Sequence, residues 1–375
     1  MKINKKDYLY EISAAGRVNI IGEHIDYCGG KVLPAALSLK NTVYVSPNGT
    51  DKINIKWTTT DAEVTLDIHN LENYRDVKYG NYIAGCALEL VKAGYNLVGC
   101  DMYQDCTVPF GSGLSSSASI EVSTIAALLT VAGKQCNPVD IALLAQKCEH
   151  NYIGVRCGIM DQFVSACGAK DKAILLDCNS LDYNYLPLQL GEYSLVITDC
   201  NKPHNLIESK YNERRQETEQ ALQLLQSKLN VKTLAEVTVE QFEQYADVLP
   251  PVIQKRAKHV VYECDRVHQA VEALKAGDIV KLGKLLNASH ASLSGLFEVT
   301  GKEPDALVAA AQSHTACVGS RLTGGGFGGS TISLVKTECV AEFKACVSTE
   351  YFQATGYNAK FYEAEISDGL QIKKI

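Results

Sequence analysis

The most informative segment of this chain is rich in glycine and serine and reads Val108-Pro109-Phe110-Gly111-Ser112-Gly113-Leu114-Ser115-Ser116-Ser117-Ala118-Ser119. It follows an alternating, strand-like run and opens a strongly apolar, helix-like one. Glycine adopts positive φ and lets the backbone approach a ligand closely, and the N–H groups at a helix start attract anions. One serine would be enough to cap the helix. The additional hydroxyls therefore predict a phosphate-binding turn with groups available for phosphate or Mg²⁺.

Two other nucleotide-binding patterns are missing from the sequence. The segment has no lysine where the G-x-x-x-x-G-K-[ST] loop requires one. The H-R-D and D-F-G triplets of protein kinases are also absent. We therefore expect neither a P-loop NTPase nor a protein kinase.

A second glycine run, Thr323–Ser330, precedes the strand-like residues 331–335 and contains five glycines in the six positions from Gly324 to Gly329. Ordering so many glycines is entropically unfavourable, and a flexible linker is the alternative. Phe327 and the strand that follows favour an ordered turn instead. We expect its backbone to approach a ligand or the first glycine loop.

A charged cluster near the N-terminus interrupts apolar residues that look buried. Within Gly16–Tyr27, the side chains of Glu23, His24 and Asp26 offer hydrogen-bond acceptors and a donor at short spacing. Such a lining suits several sugar hydroxyls at once. A solvated loop is the alternative, but the flanking Val18, Ile20 and Ile21 argue against it.

The candidate catalytic carboxylate is Asp161, which stands among apolar residues in Gly158–Phe163. A buried carboxylate is unfavourable unless it is paired. Arg17 is the attractive partner, because it would keep Asp161 ionised and would offset charge that develops during group transfer.

Composition excludes several classes of protein. The chain has 375 residues, 46% hydrophobic and 21% charged, which is typical of a globular protein and not of a disordered or coiled-coil one. The net charge of 36 − 43 = −7 leaves no cationic footprint for nucleic acid or an anionic membrane. No apolar run reaches the roughly 20 residues of a membrane span, and the first residues lack the apolar core of a secretory signal. We therefore expect a cytoplasmic protein, in which most of the 14 cysteines are small buried hydrophobes.

Helical and strand-like periodicities alternate along the chain and predict an α+β fold of layered helices and mixed or antiparallel sheets. The length favours two domains, with a seam in the polar stretch 177–191, which gives domains of 1–180 and 190–375. The predicted strands are 42–47, 52–57, 97–108, 194–199, 331–335 and 359–366, with an Asn48-Gly49 turn joining the first two. The predicted helices are 80–93, 115–132, 139–153, 206–229, 252–275 and 338–355.

Taken together, these segments resemble the GHMP small-molecule kinases, and within them the galactokinases. Gly16–Tyr27, continued by Gly29–Pro34, is similar to the galactokinase signature, and Pro109–Ala118 to the ATP-binding loop of the family. Gly158–Gln162 resembles the catalytic-aspartate segment, and Gly319–Gly329 the third glycine-rich motif. Further agreement comes from three segments: Ser209–Arg215, His259–Glu263 and Ser289–Leu293.

The resemblance implies a two-lobed fold with N- and C-terminal GHMP kinase domains and the active site in the cleft between them. It implies transfer of the γ-phosphoryl group of ATP to the C1 hydroxyl of galactose, with Asp161 and Arg17 as catalytic residues. The sugar-binding residues would be Glu23, His24, Asp26, Gly158 and Tyr211. The ATP-binding residues would be Gly111, Ser112, Gly113, Leu114, Ser115, Ser116 and Ser117. The Mg²⁺ ligands would be Ser117 and Glu149.

Some positions depart from the family pattern and leave alternatives open. Ala15, Ile25 and Cys28 stand where proline, threonine and asparagine are frequent, and the last two also resemble the N-acetylgalactosamine kinase branch. A kinase for N-acetylgalactosamine or arabinose is therefore the second hypothesis. A non-catalytic regulator that binds sugar and ATP is the third. We expect a monomer, with a small-molecule sugar and no nucleic acid or membrane as its partner, and we interpret Trp57 as a candidate for the adenine side of the site.

Overall fold

The computed structural model describes residues 5–135, 137–202 and 207–375. Within these ranges the chain forms thirteen strands. They are β1 Tyr10–Asn19, β2 Lys31–Val32, β3 Pro34–Pro47, β4 Lys52–Trp57, β5 Glu63–Asp67, β6 Cys100–Cys106, β7 Lys172–Asp177, β8 Tyr183–Pro187, β9 Tyr193–Asp199, β10 Cys317–Thr323, β11 Ser330–Lys336, β12 Lys360–Tyr362 and β13 Gln371–Lys374.

The same ranges contain ten α-helices. They are α1 Asn81–Lys92, α2 Ser116–Val131, α3 Pro138–Cys148, α4 Met160–Cys167, α5 Ile207–Leu225, α6 Val239–Tyr245, α7 Pro251–Ala276, α8 Ile279–Ser292, α9 Lys302–Ser313 and α10 Val340–Thr355. Two π-helical turns, Glu149–Ile153 and Leu293–Phe297, extend α3 and α8.

The strands form three sheets. A six-stranded sheet has the order β13-β1-β3-β6-β4-β5, a four-stranded one β10-β11-β9-β12, and a three-stranded one β2-β7-β8. The β4–β6 pair is parallel and the other pairs are antiparallel. The predicted α+β class with mixed and antiparallel sheets is therefore confirmed.

The expected turn between the first two predicted strands does not make a hairpin. β3 and β4 both form, but β6 lies between them, antiparallel to β3 and parallel to β4. The Asn48 backbone N–H bonds to the Gly99 carbonyl at 3.0 Å, so the turn packs on the start of β6. A Cβ at Gly99 would lie 1.9 Å from the Thr50 carbonyl oxygen. The local turn signal was correct, but the strand pairing is decided by a segment fifty residues away.

Helix α2 is buried over almost its whole length, from Ala118 to Leu129. An apolar surface all round a helix indicates that other elements cover every side. It packs against β1 and β3 on one side and against α1, α3 and α4 on the others. Its first turn is thereby held at a fixed place beside β1, the strand that contains Arg17.

The other predicted elements form within a few residues of their expected bounds, but β3 begins at Pro34 and not at residue 42, and β12 is shorter than predicted. Residue 206 of the predicted helix 206–229 lies outside the described residues. Several elements were missed: β1, β2, β5, β7, β8, β10, β13, α4, α6, α8 and α9. The expected seam at 177–191 contains β8, which pairs with β7. The division into domains of 1–180 and 190–375 stays a prediction. β13, from the second predicted domain, pairs with β1 of the first.

The cysteine expectation is correct only in part. Thirteen cysteines lie in the described ranges; six are buried, seven are half-buried, and all are free thiols. No helix among the described residues is long and apolar enough to cross a membrane.

Candidate active site

One cavity of about 370 Å³ brings together most of the residues that the sequence singled out. Its walls come from β1, the start of α2, the start of α4, α5 and the second glycine run. The predicted residues that line it are Arg17, Glu23, His24, Asp26, Gly111, Gly113, Ser115, Ser116, Ser117, Glu149, Gly158, Asp161 and Tyr211. Ser112 and Leu114 do not line it, because both are buried beneath the turn.

Arg17 and Asp161 form the predicted pair. Arg17 Nε donates to Asp161 Oδ1 at 2.8 Å, and Nη2 donates to Oδ2 at 2.7 Å, so the contact is bidentate. The Arg17 side chain is 4% exposed and that of Asp161 is 30% exposed. The arginine is therefore held inside the protein while the carboxylate faces the cavity. Such two-pronged pairs fix geometry as well as charge.

Local structure explains why Arg17 points to the cavity. The pairing of β1 with β3 shifts register between Ala15 and Arg17. A Cβ at Gly16 would lie 2.8 Å from the Leu114 carbonyl oxygen, and the Arg17 backbone N–H bonds to that same oxygen at 3.1 Å. Arg17 Nη1 also donates to the Gly113 carbonyl at 2.5 Å. The bulge in β1 is thus joined directly to the serine-rich turn.

Ser115 connects the turn to the Asp161 carboxylate. It precedes α2 in a left-handed conformation, with φ of 61°, and its hydroxyl does not cap the helix. The hydroxyl donates instead to Asp161 Oδ2 at 2.5 Å. Asp161 lies in the first turn of α4, where the helix dipole favours a negative charge. The Ser115 hydroxyl therefore serves Asp161 and not the helix cap, and phosphate binding by the serine-rich turn stays a prediction.

The two glycine-rich segments pack against each other. A Cβ at Gly324 would lie 2.8 Å from the Gly113 carbonyl oxygen, and one at Gly329 would lie 3.4 Å from that of Ser112. The Ser330 hydroxyl donates to the same Ser112 oxygen at 2.6 Å. This confirms the expectation that the second run is an ordered turn in close contact with the first.

Asp26 lies directly against Gly158. A Cβ at Gly158 would fall 1.9 Å from Asp26 Oδ2, so only glycine leaves room for the carboxylate. Burial, with the nearby charge of Asp161, raises the pKa of Asp26 to about 6. Gly158 therefore leaves the space that the Asp26 carboxylate occupies at the cavity wall.

Glu23 is almost fully buried at the inner wall of the cavity. Its Oε1 accepts from Arg321 Nη2 at 2.8 Å and from the Gly324 backbone N–H at 2.6 Å, and Asn19 donates to its Oε2. Burial raises the pKa of Glu23 to about 7, although Arg321 and Arg17 act in the opposite direction.

His24 and Tyr211 form the aromatic part of the wall. The ring centroids of His24 and Tyr211 are 5.4 Å apart, and those of His24 and Phe297 are 4.9 Å apart. His24 Nδ1 lies 2.8 Å from the Tyr27 hydroxyl and Nε2 lies 3.2 Å from the Gly325 carbonyl oxygen. Burial, with a smaller effect of His259, lowers the pKa of His24 to about 3, so the ring is neutral. Phe297 and Tyr27 were not predicted as neighbours of His24 because their contacts depend on tertiary packing.

The donor groups in the cavity are compatible with Mg²⁺. Ser117 and Glu149 both line it and offer the hydroxyl and carboxylate oxygens that this ion takes alongside substrate phosphates. No group of three His, Cys, Asp or Glu side chains in the described part of the chain could hold a metal by itself. Ser117 and Glu149 as Mg²⁺ ligands stay a prediction.

A second cavity of about 330 Å³ adjoins the first and shares Tyr82, Ser116 and Ser117 with it. Its other lining residues are mostly large and apolar: Trp57, Lys78, Tyr79, Asn81, Ile83, Phe110 and Ile120. The rings of Trp57 and Tyr79 are 5.7 Å apart, and Phe110 is 58% exposed. Sequence reasoning pointed to Trp57 but missed Tyr79 and Phe110. The signal that could have found Phe110 is its position as an aromatic residue beside the glycine loop.

Comparison with known families first defines the class. The GHMP kinases N terminal domain matches residues 81–169, the galactokinase galactose-binding signature matches residues 3–47, and the GHMP kinases C terminal region matches residues 270–352. Together these regions include the cavity-lining turn, the acidic cluster and the helices behind the second glycine run. The fold and the site are those of a GHMP kinase.

Individual relatives narrow the assignment. The chain is 40% identical over 371 residues to a galactokinase of Clostridium tetani, covering 98% of this chain and 95% of that one. It is 43% identical over 358 residues to a galactokinase of Lactiplantibacillus plantarum, covering 94% and 92%. The crystal structure of Lactococcus lactis galactokinase complexed with galactose superposes with a TM-score of 0.95 at 39% identity, covering 98% and 96%. This chain belongs to the galactokinase family.

Proposed function

We propose that the protein transfers the γ-phosphoryl group of ATP to the C1 hydroxyl of D-galactose and releases galactose 1-phosphate and ADP. The observation that carries the proposal is the Arg17–Asp161 pair, which faces one cavity shared by the serine-rich turn and the acidic cluster. Phosphoryl transfer depends on positioning and charge neutralisation more than on covalent chemistry. Both requirements are met by residues that line this cavity.

Asp161 receives or orients the proton of the C1 hydroxyl. The hydroxyl oxygen attacks the γ-phosphorus, the bond to the β,γ-bridging oxygen breaks, and ADP leaves with that oxygen. Two hydrogen bonds from Arg17 and one from Ser115 hold the carboxylate in place. A positioned carboxylate of this kind contributes to rate even when proton transfer is late.

Arg17 has a second role beside holding Asp161. Its guanidinium lies next to the Gly113 carbonyl, at the turn that would wrap the triphosphate. Negative charge develops on the transferring group, and a buried cation stabilises such charge far more than an exposed one does. Arg17 is thus the residue for stabilising the transition state.

The sugar would be held by Glu23, His24, Asp26 and Tyr211, with Gly158 leaving room for the Asp26 carboxylate. The triphosphate would lie along residues 111–117, where N–H groups at the start of α2 favour anions. Ser117 and Glu149 would hold Mg²⁺, which neutralises phosphate charge when bound. The adenine base would enter the aromatic cavity beside Trp57, Tyr79 and Phe110.

The substrate is tested by steady-state release of ADP with galactose, N-acetylgalactosamine and arabinose, together with phosphorus NMR of the product. We expect turnover with galactose and a phosphate at the anomeric carbon. Turnover with N-acetylgalactosamine alone would mean that this sugar, and not galactose, is the substrate. Saturable ATP binding without turnover of any sugar would instead favour a regulator.

The role of Asp161 is tested by Asp161→Asn. The amide keeps the shape but cannot accept the hydroxyl proton, so we expect kcat to fall by about 10²–10⁴-fold. Binding of ATP and the unfolding temperature should change little, since the side chain is partly exposed and Arg17 keeps a hydrogen-bond acceptor beside it. A near-normal kcat would show that the assigned role is wrong.

Cytoplasmic location and a monomeric state remain part of the proposal. Cell fractionation tests the first, and light scattering of the purified protein tests the second.

A further inference from the structure

Two segments noted in the sequence lie outside the active-site cavity. His259–Glu263 is in the middle of α7, and Ser289–Leu293 includes the end of α8. The side chains of His259, Glu263 and Ser289 are fully buried. None of the three lines either cavity, so their polar groups act on other parts of the protein.

One face of α7 contacts the backbone of the sugar-binding turn. His259 Nε2 lies 3.1 Å from the Glu23 carbonyl oxygen, and the Gly22 backbone N–H donates to Glu263 Oε1 at 3.0 Å. One turn further along, Val267 Cγ2 would lie 3.1 Å from a Cβ at Gly22. Positions 259, 263 and 267 are four residues apart and therefore lie on one face of the helix. Two hydrogen bonds thus hold the backbone on both sides of the Glu23 α-carbon.

The His259 ring has a defined protonation state. A carbonyl oxygen can only accept, so Nε2 carries the proton and Nδ1 accepts from the Ser292 hydroxyl at 2.8 Å. Burial lowers the pKa of His259 to about 4, which agrees with a neutral ring. The ring centroid also lies 4.5 Å from that of Phe297, which in turn packs on His24.

Glu263 is held by groups other than the turn. Ser289 Oγ donates to its Oε1 at 2.7 Å, and Arg266 Nε donates to its Oε2 at 2.6 Å. Burial alone would raise the pKa of Glu263, but Arg266, together with His259 and Arg321, lowers it to about 2. The carboxylate is therefore ionised and fixed before it accepts the Gly22 N–H.

The turn needs such support because its backbone is unfavourable. Gly22 has φ of 106° and His24 has φ of 62°. The left-handed region is disfavoured for a residue with a Cβ, so His24 keeps this conformation only when its surroundings impose it.

We propose that His259 and Glu263 are positioning residues for sugar binding, which fix the backbone around Glu23 so that the Glu23 and His24 side chains face the sugar. This inference rests on the proposed function, because the turn matters only if these two side chains bind the sugar. Neither residue contacts the nucleotide side of the cavity.

The test compares Glu263→Leu, which removes the acceptor, with Glu263→Gln, which keeps an oxygen for the Gly22 N–H. The matched control is Ser333→Ala in β11. It removes one buried side-chain hydrogen bond, the one between Ser333 and Ser320 of β10. KM is measured for galactose and for ATP at a temperature well below unfolding. We expect Glu263→Leu to raise the KM for galactose about tenfold, because a buried donor loses its acceptor. Glu263→Gln should recover most of that loss, and the KM for ATP should stay within about twofold.

A double-mutant cycle identifies the route of the effect. Glu23→Gln and Glu263→Leu should be strongly non-additive in kcat/KM for galactose if Glu263 acts through Glu23. Additive effects, or equal changes in both KM values, would overturn the inference while leaving the proposed function intact. If the unmodified protein does not turn over galactose, the proposed function fails and the inference fails with it.

Discussion

At the scale of single residues, Gly158 controls where the Asp26 carboxylate can lie. A Cβ there would overlap Asp26 Oδ2 at 1.9 Å, so Gly158→Ala must push Asp26 away from the sugar. We expect kcat/KM for galactose to fall about a hundredfold, as for other displacements of about 1 Å in active sites. The control is Gly295→Ala, because a Cβ at Gly295 meets no atom within 4 Å. Equal activity of the two variants would contradict this account of Gly158.

The raised pKa values of Asp26 and Glu23 predict that galactose binding depends on pH. Burial raises the pKa of Asp26 to about 6 and that of Glu23 to about 7, and protonated carboxyls lose acceptor capacity for sugar hydroxyls. Affinity should therefore rise with pH: at pH 5, about one unit below the Asp26 pKa, protonation of Asp26 alone should weaken binding about tenfold relative to pH 8, and protonation of Glu23 should weaken it further. Calorimetric titration with galactose measures this; a dissociation constant that stays level over that range would refute it.

The same two carboxyls act oppositely on the stability of the ligand-free protein. A pKa that is higher in the folded state than in the unfolded one means that the folded state binds the proton more tightly. Their contribution to stability therefore falls as pH rises from the ordinary carboxyl range through about 6 and 7. Sugar binding and intrinsic stability thus respond to pH in opposite directions.

At the scale of elements, the start of α2 lies between the two cavities. Ser117 lines both the cavity that contains Asp161 and the aromatic cavity beside Trp57, and we proposed it as a Mg²⁺ ligand. Ser117→Ala should raise the Mg²⁺ concentration for half-maximal rate about tenfold, since one of few protein ligands is lost. Ser119→Ala is the control, because its hydroxyl bonds only within the helix, to the Ser116 carbonyl at 2.8 Å. An unchanged Mg²⁺ requirement for Ser117→Ala would remove Ser117 from the ligand set.

Sequence patterns predicted elements well where the signal is local. Helix α7 was predicted as 252–275 and is one residue longer at each end. The prediction succeeded because the apolar spacing and the terminating Gly277, with φ of 68°, are both local features. Strand β1 was missed because Ala14-Ala15-Gly16 has little strand preference and both faces are buried, which removes the alternation. The expected β3–β4 hairpin is wrong for a different reason. The turn between the two strands is a local feature, but the insertion of β6 between them is not.

At the scale of the whole molecule, the candidate site was predictable in the parts that one segment carries. The serine turn, the acidic cluster and Asp161 each stand in a recognisable run of residues. The Arg17–Asp161 pair joins segments 144 residues apart and could only be proposed from charge. The hold of His259 and Glu263 on the sugar-binding turn spans more than 230 residues, and no local pattern indicates it.

The C-terminus completes the sheet that carries Arg17. β13 pairs with Tyr10–Ser13 of β1 and forms the outer edge of the six-stranded sheet. All four β13 residues are exposed, so the strand stabilises the fold by backbone hydrogen bonds and by protecting the edge of β1. Deleting residues 371–375 should therefore lower the free energy of unfolding by about 2 kcal/mol and promote aggregation. It should leave kcat of the folded protein unchanged, since the lost contacts end four residues before Arg17.

Urea unfolding and steady-state kinetics on the truncated protein measure both effects. The double variant Lys373→Ser and Lys374→Ser is the control, because it keeps the backbone pairing and changes only exposed side chains; its stability should stay within about 0.5 kcal/mol. A truncated protein of full stability would mean that β1 does not depend on its outer neighbour. An unchanged free energy of unfolding with a lower kcat would mean instead that β13 acts on the bulge at Arg17. The effect of β13 on phosphoryl transfer would then pass through β1.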